Sequence, residues 1–192
     1  KSYQAFSAAV DRFNSNARDV RHIYVNCISR QLDQKTSQGY FEYVDSLSAG
    51  IDASRNISDV KSDVLVRSVV YSALQNYDAA VSDLTTYLSI DSLSPLGYWQ
   101  RAFCLSKMNE FNASGGTDVR IAAERAMADM NQAIRLDSDN QYLFYNRGNM
   151  YAAGKLYDKA IADYNEAIRL DANLAEAYYN RGLAHINNKN VS

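Results

Sequence analysis

Apolar residues in the C-terminal half of the chain recur three and four residues apart. The clearest stretch has apolar side chains at Tyr157, Ala160, Ile161, Tyr164, Ala167, Ile168 and Leu170. This spacing places them on one face of a helix with about 3.6 residues per turn. The pattern predicts a helix from Tyr157 to Leu170 that packs against its neighbours through this face.

Two motifs with this periodicity repeat along the chain. Residues 124–138 (ERAMADMNQAIRLDS) and 158–172 (DKAIADYNEAIRLDA) share one apolar rhythm at an offset of 34 residues. A weaker copy at 78–92 precedes the first of them by 46 residues. A second motif precedes each copy, and it reads FYNRGNMY at 144–151 and YYNRGLAH at 178–185. The chain is therefore predicted to consist of repeats, each built from two helices.

The two offsets differ by 12 residues, which predicts one insertion of that length between the two motifs of a single repeat. The double glycine Gly115-Gly116 places it at about 112–123. Helix-forming residues at 118–123 are expected to extend the second helix of that repeat backward. The resulting boundaries are a first repeat at 61–94, a second with the insertion at 95–140, a third at 141–174, and a fourth, partial repeat at 175–192 that holds only a first helix.

The first 60 residues are also helical in pattern. Residues 1–60 carry three apolar stripes, the third after a break at Gly39, and they are interpreted either as degenerate repeats or as a helical cap. The sequence starts at Lys1 without an initiator methionine or a signal-peptide pattern. This start predicts a segment that lacks its native N-terminus, and it leaves the cellular compartment undetermined.

Small residues occupy the same places in each repeat, when positions are numbered from 1 to 34 without the insertion. Position 8 holds Gly148 and Gly182, and position 20 is alanine in the three complete repeats, as Ala80, Ala126 and Ala160. A 34-residue pair of helices with this pattern resembles the tetratricopeptide repeat, in an array of the bacterial type. The resemblance implies an all-α fold, an α-solenoid of antiparallel helix pairs in a right-handed superhelix, in which small side chains let neighbouring helices approach closely.

Composition agrees with long helices. The 192 residues include one proline and eight glycines, the two residue types that most disfavour helix interiors, and a hydrophobic fraction of 47% is sufficient for a packed core. The repeat family usually has proline at position 32, where this chain has Ser92, Ser138 and Ala172. This departure weakens the sequence signal for the turn between repeats without removing it.

The charge balance argues against two classes of partner. A net charge of −2 and an isoelectric point of about 5.7 give no basic surplus for nucleic acid or for an anionic membrane. No apolar run approaches the roughly 18 residues of a membrane span. The chain is expected neither to bind nucleic acid nor to insert into a membrane.

No constellation of residues for catalysis is visible. The sequence lacks a glycine-rich phosphate loop, an HExxH motif and a CxxC motif. His185 and Cys104 occupy positions 11 and 10 of their repeats, which are core-packing positions, so a structural role is predicted for both. The chain is expected not to be an enzyme and to hold no metal and no cofactor.

One charged pattern repeats with the units. Position 7 is arginine in all four repeats and position 23 is aspartate in the three complete ones, which gives Arg67, Arg101, Arg147 and Arg181, and Asp83, Asp129 and Asp163. The arginines could form a basic ladder for acidic ligands, or they could pair with the aspartates between the two helices of a repeat. The low net charge and the joint repetition favour structural ion pairs.

The resemblance also implies where a ligand binds. In tetratricopeptide arrays the first helix of each repeat lines a concave groove, and the matching residues here are Leu65, Val69, Trp99, Gln100, Phe103, Tyr142, Tyr145, Asn146, Asn149, Tyr179 and Asn180. Aromatic rings interleaved with amides suit an extended peptide, because the rings supply contact area and the amides bond to its backbone. Trp99 is the expected anchor.

The family's carboxylate clamp, which grips the C-terminus of a peptide, is disfavoured here. Asn149 and Asn180 match two of its positions, but Tyr145 stands where the clamp has a lysine. The sequence therefore predicts a non-catalytic scaffold that holds a protein or peptide segment in the groove. The alternative is a structural module that associates with itself end to end or docks onto other domains of a longer chain.

Overall fold

The computed structural model of the protein describes residues 34–53, 56, 60–111 and 117–189. Helices and turns make up these residues, and no strand occurs among them. The helices are α1 (Gln34–Ala53), α2 (Lys61–Ala73), α3 (Tyr77–Ile90), α4 (Pro95–Phe111), α5 (Thr117–Leu136), α6 (Gln141–Ala153), α7 (Tyr157–Leu170) and α8 (Ala175–Lys189). The first two N-terminal stripes and most of the expected loop within the insertion lie outside the described residues.

The helices fall into two compact parts, divided after Leu93. In the first part α2 packs against α1 and α3, and in the second part α4 packs against α5, α5 against α6, α6 against α7, and α7 against α8. Turns of three residues join α2 to α3 and α6 to α7, so the helices of each pair run antiparallel. The expected all-α fold, a solenoid of antiparallel helix pairs, is confirmed.

Helix boundaries follow the sequence pattern closely, with one correction. The helix predicted from Tyr157 to Leu170 has those bounds in the structure. The second helix of the second repeat starts at Thr117, which makes it six residues longer than α3 and α7. The break expected at Gly39 is wrong, since α1 runs through this residue. One glycine costs a helix only about 1 kcal/mol, which the residues on either side can offset.

The turn inside each helix pair has the same backbone geometry in two repeats. Gln75 and Lys155 both occupy position 15, and both have a left-handed backbone with φ of 61° and 58°. A non-glycine residue rarely adopts this conformation, so its occurrence at matching positions indicates that the repeat imposes it. The amide of the following residue, Asn76 or Leu156, donates to the carbonyl of position 11.

An aspartate at position 31 holds the turn between the helix pairs, where the family's proline is missing. The carboxylate of Asp91 accepts from the backbone amide of Leu93, and that of Asp171 accepts from the amide of Asn173. In the second repeat Asp137 accepts instead from the side-chain amide of Asn140. These bonds fix a short polar turn, which is how the chain ends each second helix without proline.

Close packing explains the glycine at position 8 of the third repeat. A Cβ atom on Gly148 would lie 2.7 Å from a ring carbon of Tyr164, whose residue is 1% exposed. Tyr164 packs in a cluster with Ala160 and Ala184, so the ring has little room to retreat. The equivalent Gly182 on α8 has no atom within 4 Å of an added Cβ. The two glycines occupy the same position of the repeat, but only Gly148 is closely packed.

Three arginines at position 7 make paired bonds to the aspartates at position 23 of the same repeat. In each case Nε and Nη2 donate to the two carboxylate oxygens over 2.7–2.8 Å, and the pairs are Arg67–Asp83, Arg101–Asp129 and Arg147–Asp163. The side chains are half-buried to buried, with 17–22% of each arginine and 8–10% of each aspartate exposed. These hydrogen bonds raise the pKa of the three arginines above its usual value, so the guanidinium groups stay charged.

The remaining nitrogen of two of these guanidinium groups reaches the preceding helix. Arg147 Nη1 donates to Asn131 Oδ1 on α5 over 2.8 Å, and Arg67 Nη1 donates to Ser48 Oγ on α1 over 3.0 Å. Arg181 makes the equivalent bond to Asn165 Oδ1 on α7 over 2.6 Å. The Arg147 side chain thus connects three consecutive helices. Ion pairs of the predicted kind form at Arg67, Arg101 and Arg147.

Alanine substitution at position 8 is expected to act in opposite directions in the third and fourth repeats. Gly148→Ala should lower the free energy of unfolding by about 1–3 kcal/mol, because Tyr164 must move. Gly182→Ala should raise it by about 0.5–1 kcal/mol, because alanine is the better helix former and meets open space. Urea denaturation of both variants measures the difference, and equal stabilisation by both would contradict the packing argument.

Arg147→Ala is expected to lower the free energy of unfolding by about 3 kcal/mol, because it leaves the Asp163 carboxylate buried without its partner. Arg169→Ala is the matched control. Arg169 also pairs with a carboxylate, that of Glu166, but its side chain is 65% exposed, so little change is expected. Thermal or urea denaturation compares the two, and equal losses would mean that the buried pair does not hold the helices together.

Candidate functional site

Four polar side chains from three helices form a hydrogen-bonded network in the second part of the chain. Asn149 Oδ1 accepts from the Tyr164 hydroxyl over 2.8 Å and from Asn180 Nδ2 over 2.9 Å. Asn180 Nδ2 also donates to the Tyr145 hydroxyl over 3.2 Å. Tyr145 and Asn149 lie one turn apart on α6 and so share a face, while α7 supplies Tyr164 and α8 supplies Asn180. We call these four residues the amide network.

A pocket of about 220 Å³ opens beside the amide network. Its walls are Asn149, Ala152, Tyr157, Tyr164, Asn180, Leu183, Ala184 and Asn187. Three amides and the Tyr164 hydroxyl supply polar atoms, and the remaining wall is apolar or aromatic. The pocket therefore offers both hydrogen bonds and apolar contact to a group that enters it.

Asn146 carries a buried donor that its surroundings do not satisfy. Among the described residues, its Nδ2 is a buried side-chain atom with no hydrogen-bond partner. A buried amide without a partner costs about 1–3 kcal/mol. Asn146 lies on α6, three residues before Asn149, so the two amides are neighbours on the helix surface. In native proteins an acceptor for such a donor comes from an ordered water or ion, or from a shift of the side chain.

Two tyrosines of this region, Tyr164 and Tyr142, have pKa values above the usual value. Burial raises the pKa of Tyr164 to about 12, and the nearby Tyr145 adds to the shift. The rings of Tyr145 and Tyr164 are tilted at 46° with their centroids 6.1 Å apart. Burial also raises the pKa of Tyr142, with smaller contributions from Asp171 and Glu176. At neutral pH these hydroxyls can act as hydrogen-bond donors.

The structure separates the residues predicted for the groove into two groups. Leu65 and Gln100 are 0% exposed and Val69 is 5% exposed, so the expectation that these three face a ligand is corrected. Their places on α2 and α4 are taken up by packing within the core. The others keep some exposure: Trp99, Phe103, Tyr142, Tyr145, Asn146, Asn149 and Asn180 are half-buried, and Tyr179 is 68% exposed.

Several of the predicted rings also serve the fold. Tyr142 and Tyr145 pack against the cluster formed by Ala167, Leu174 and Ala177. Trp99 and Phe103 lie four residues apart on α4, and the Lys107 ammonium stands 5.9 Å from the Phe103 ring centroid. The aromatic residues of this region therefore divide between packing and accessible surface.

Some residues of the site were not predicted as such. Tyr164 entered the sequence pattern only as part of an apolar stripe. Asn187 lies at position 13, which is a groove position of the family, but it was not among the residues predicted for the groove. The residue in the sequence that could have pointed to Tyr164 is Gly148, because a glycine at position 8 leaves space for a large ring on the facing helix. Cys104 is buried as expected. His185 is exposed, so its predicted role in the core is corrected.

Other kinds of site find no support among the described residues. No group of three or more histidine, cysteine, aspartate or glutamate side chains in that part of the chain could hold a metal ion. None of the helices described has the length and apolar character to cross a membrane.

Comparison with known proteins identifies the repeat. A family model described as TPR repeat matches residues 148–189, from α6 to α8. No curated protein matches the chain in sequence. A crystal structure of MamA is similar, with 19% identity, coverage of 80% of this chain and 84% of that chain, and a TM-score of 0.64. A second MamA crystal structure has 18% identity, coverage of 87% and 81%, and a TM-score of 0.63.

A third similar structure contains a bound peptide. It is the first TPR of Spaghetti (RPAP3) bound to the HSP90 peptide SRMEEVD, with 20% identity, coverage of 65% of this chain and 90% of that chain, and a TM-score of 0.55. These similarities establish the same fold.

The wild-type protein is expected to lose more stability at alkaline pH than Tyr164→Phe. Between pH 10 and about 12 the tyrosine of the unfolded chain ionises while folded Tyr164 keeps its proton, so the free energy of unfolding falls as pH rises. Urea denaturation at about pH 9 and about pH 11 measures the loss for each protein. The other tyrosines are common to both, so parallel losses would contradict the raised pKa of Tyr164.

Proposed function

We propose that this chain, in which residues 148–189 match a TPR-repeat model and whose fold is similar to that of a solved TPR structure, is a non-catalytic scaffold that binds an extended segment of another protein along the exposed faces of α6 and α8. The observation that carries this proposal is the amide network, with the pocket that opens beside it. A small shift of the Asn146 side chain on binding would also let a backbone carbonyl of the segment meet its buried, unsatisfied Nδ2.

The amide network complements a peptide group. Asn149 uses its Oδ1 and Asn180 its Nδ2 in the bonds within the network. Among the described residues this leaves Asn149 Nδ2 as a donor and Asn180 Oδ1 as an acceptor, on facing helices. A peptide backbone presents the matching carbonyl and amide. Binding of this kind does not depend on the partner's side chains, so these amides contribute affinity more than selectivity.

Selectivity would then come from the rings and the pocket. The pocket beside Asn149 is large enough for a side chain of the bound segment. Tyr179, which precedes Asn180 on α8, is 68% exposed, and Trp99 and Phe103 would extend the binding face onto α4. Half-buried aromatic side chains are frequent anchors at protein interfaces. The peptide held by the similar TPR of Spaghetti (RPAP3) supports a peptide as the ligand class.

An internal segment is a better candidate than a free C-terminus. The carboxylate clamp of the family requires a lysine at the position of Tyr145, and here that side chain ends in a hydroxyl that accepts a hydrogen bond from Asn180. A neutral network of amides and hydroxyls has no fixed positive charge to attract a terminal carboxylate. We therefore expect peptides with blocked termini to bind as well as peptides with free ones.

Asn146→Ala is expected to separate binding from stability. Peptides selected on the full chain from a random display library, with blocked termini, serve as probes. Their affinity for Asn146→Ala and Asn180→Ala should fall about tenfold, irrespective of peptide sequence, because each variant loses a bond to the backbone. The free energy of unfolding of Asn146→Ala should stay level or rise, because an unsatisfied buried amide is removed.

Asn173→Ala is the matched control, since Asn173 is an exposed asparagine in the turn before α8. Its affinity for the same peptides should equal that of the wild type. Fluorescence anisotropy measures binding, and urea denaturation measures stability. Selected peptides that bind all three variants equally would move the binding surface away from α6 and α8, and a destabilised Asn146→Ala would make Asn146 a structural residue.

A further inference from the structure

The pocket beside the amide network is enclosed by α6, α7 and α8. On α8 its walls are at positions 6, 9, 10 and 13, which hold Asn180, Leu183, Ala184 and Asn187. In the third repeat the second helix packs instead onto positions 7 and 8 of the first, where Arg147 pairs with Asp163 and Gly148 contacts Tyr164. At about 100° per residue, positions 7 and 8 lie on nearly the opposite side of a helix from the pocket walls. A helix packed on α8 as α7 packs on α6 would therefore leave the pocket open.

The polar walls of the pocket are particular to this place in the array. Three of them stand where the preceding group of helices, α4, α5 and α6, has apolar residues: Asn149, Tyr164 and Asn187 take the places of Phe103, Met130 and Ala153. The preceding helices pack against one another without polar groups at these positions. The polar character of the pocket therefore does not follow from the stacking of the repeats.

The pocket has no charged wall. All eight of its wall residues are asparagine, tyrosine, alanine or leucine. Two charged residues close to Tyr157 in sequence, Lys155 and Asp158, are exposed and opposite in sign, and Asp158 accepts from Asn188 Nδ2 over 2.7 Å. A charged side chain that entered the pocket would lose water without a fixed counter-charge, which is costly. The pocket therefore favours an uncharged side chain.

The Asn187 carboxamide supplies the polar atoms that a side chain in the pocket can use. Among the described residues it makes no hydrogen bond, so it keeps two N–H donors and an acceptor oxygen. A second carboxamide can form two reciprocal N–H···O bonds with it, whereas a carboxylate offers acceptors alone and an aliphatic group offers neither. Ala152, Leu183 and Ala184 add apolar wall, which suits the methylene groups of a longer side chain.

We propose that this pocket selects a glutamine side chain of the bound segment. The glutamine carboxamide pairs with that of Asn187, and its two methylene groups contact Leu183 and the alanines. Asn149 Nδ2 and Asn180 Oδ1 stay available for the backbone of the segment. The inference rests on the proposed function, and it names the side chain by which the site would distinguish one extended segment from another.

Selection from the random display library on three forms of the chain tests this preference. Sequencing of the pool bound to the wild type should show glutamine enriched at one position of the selected peptides. Asn187→Leu should abolish that enrichment, because the leucine keeps an apolar wall but has no amide. Asn173→Leu is the matched control, since Asn173 is an exposed asparagine outside the pocket, and it should retain the enrichment.

Two replacements in one selected peptide separate charge from hydrogen bonding. Glutamate in place of the enriched glutamine has nearly the same shape but carries a charge, and methionine has similar length but no amide. Each should weaken binding to the wild type about tenfold in fluorescence anisotropy. On Asn187→Leu the glutamine and methionine peptides should bind equally, which isolates the contact between the two amides. Urea denaturation checks that each variant is folded.

The outcomes distinguish this inference from the proposed groove. Peptides that lose affinity with Asn180→Ala but show no enriched glutamine, or that bind equally well with methionine, would overturn the pocket's preference and leave the groove in place. Enrichment of an acidic or basic residue that depends on Asn187 would overturn the preference for an uncharged amide. A library that yields no binder, or binders insensitive to Asn180→Ala, would overturn the groove and this inference together.

Discussion

The paired bond between an arginine at position 7 and an aspartate at position 23 is the interaction on which the arrangement of helices depends. Each pair joins the two helices of a repeat through two bonds of 2.7–2.8 Å at sites that are largely out of water. In Arg147 the same group also bonds to the preceding helix and stands 5.6 Å from the Phe144 ring centroid. Because a planar guanidinium has fixed donor directions, it sets the spacing and rotation of the helices that it joins.

The candidate binding face follows from that geometry. Once Arg147 holds α6 against α7, position 8 of α6 faces position 24 of α7 at close range, and only glycine leaves room for the ring of Tyr164. The ring in turn carries its hydroxyl to Asn149, which brings Asn180 of α8 into the amide network. The close packing of Tyr164 against Gly148 in the core therefore determines where the amide network and its pocket lie.

The sequence by itself determined the repeat, the helices and the ion pairs. The 34-residue offset, the apolar periodicity and the joint repetition of arginine and aspartate are local or periodic signals, and they predicted the bounds of α7 and the three pairs. Only the tertiary structure decided which side chains reach solvent. Leu65, Val69 and Gln100 have the same sequence positions as groove residues but are buried, whereas His185, at a core position, is exposed. Exposure depends on which helix lies against a face, and a periodic pattern, which is the same in every repeat, does not contain that information.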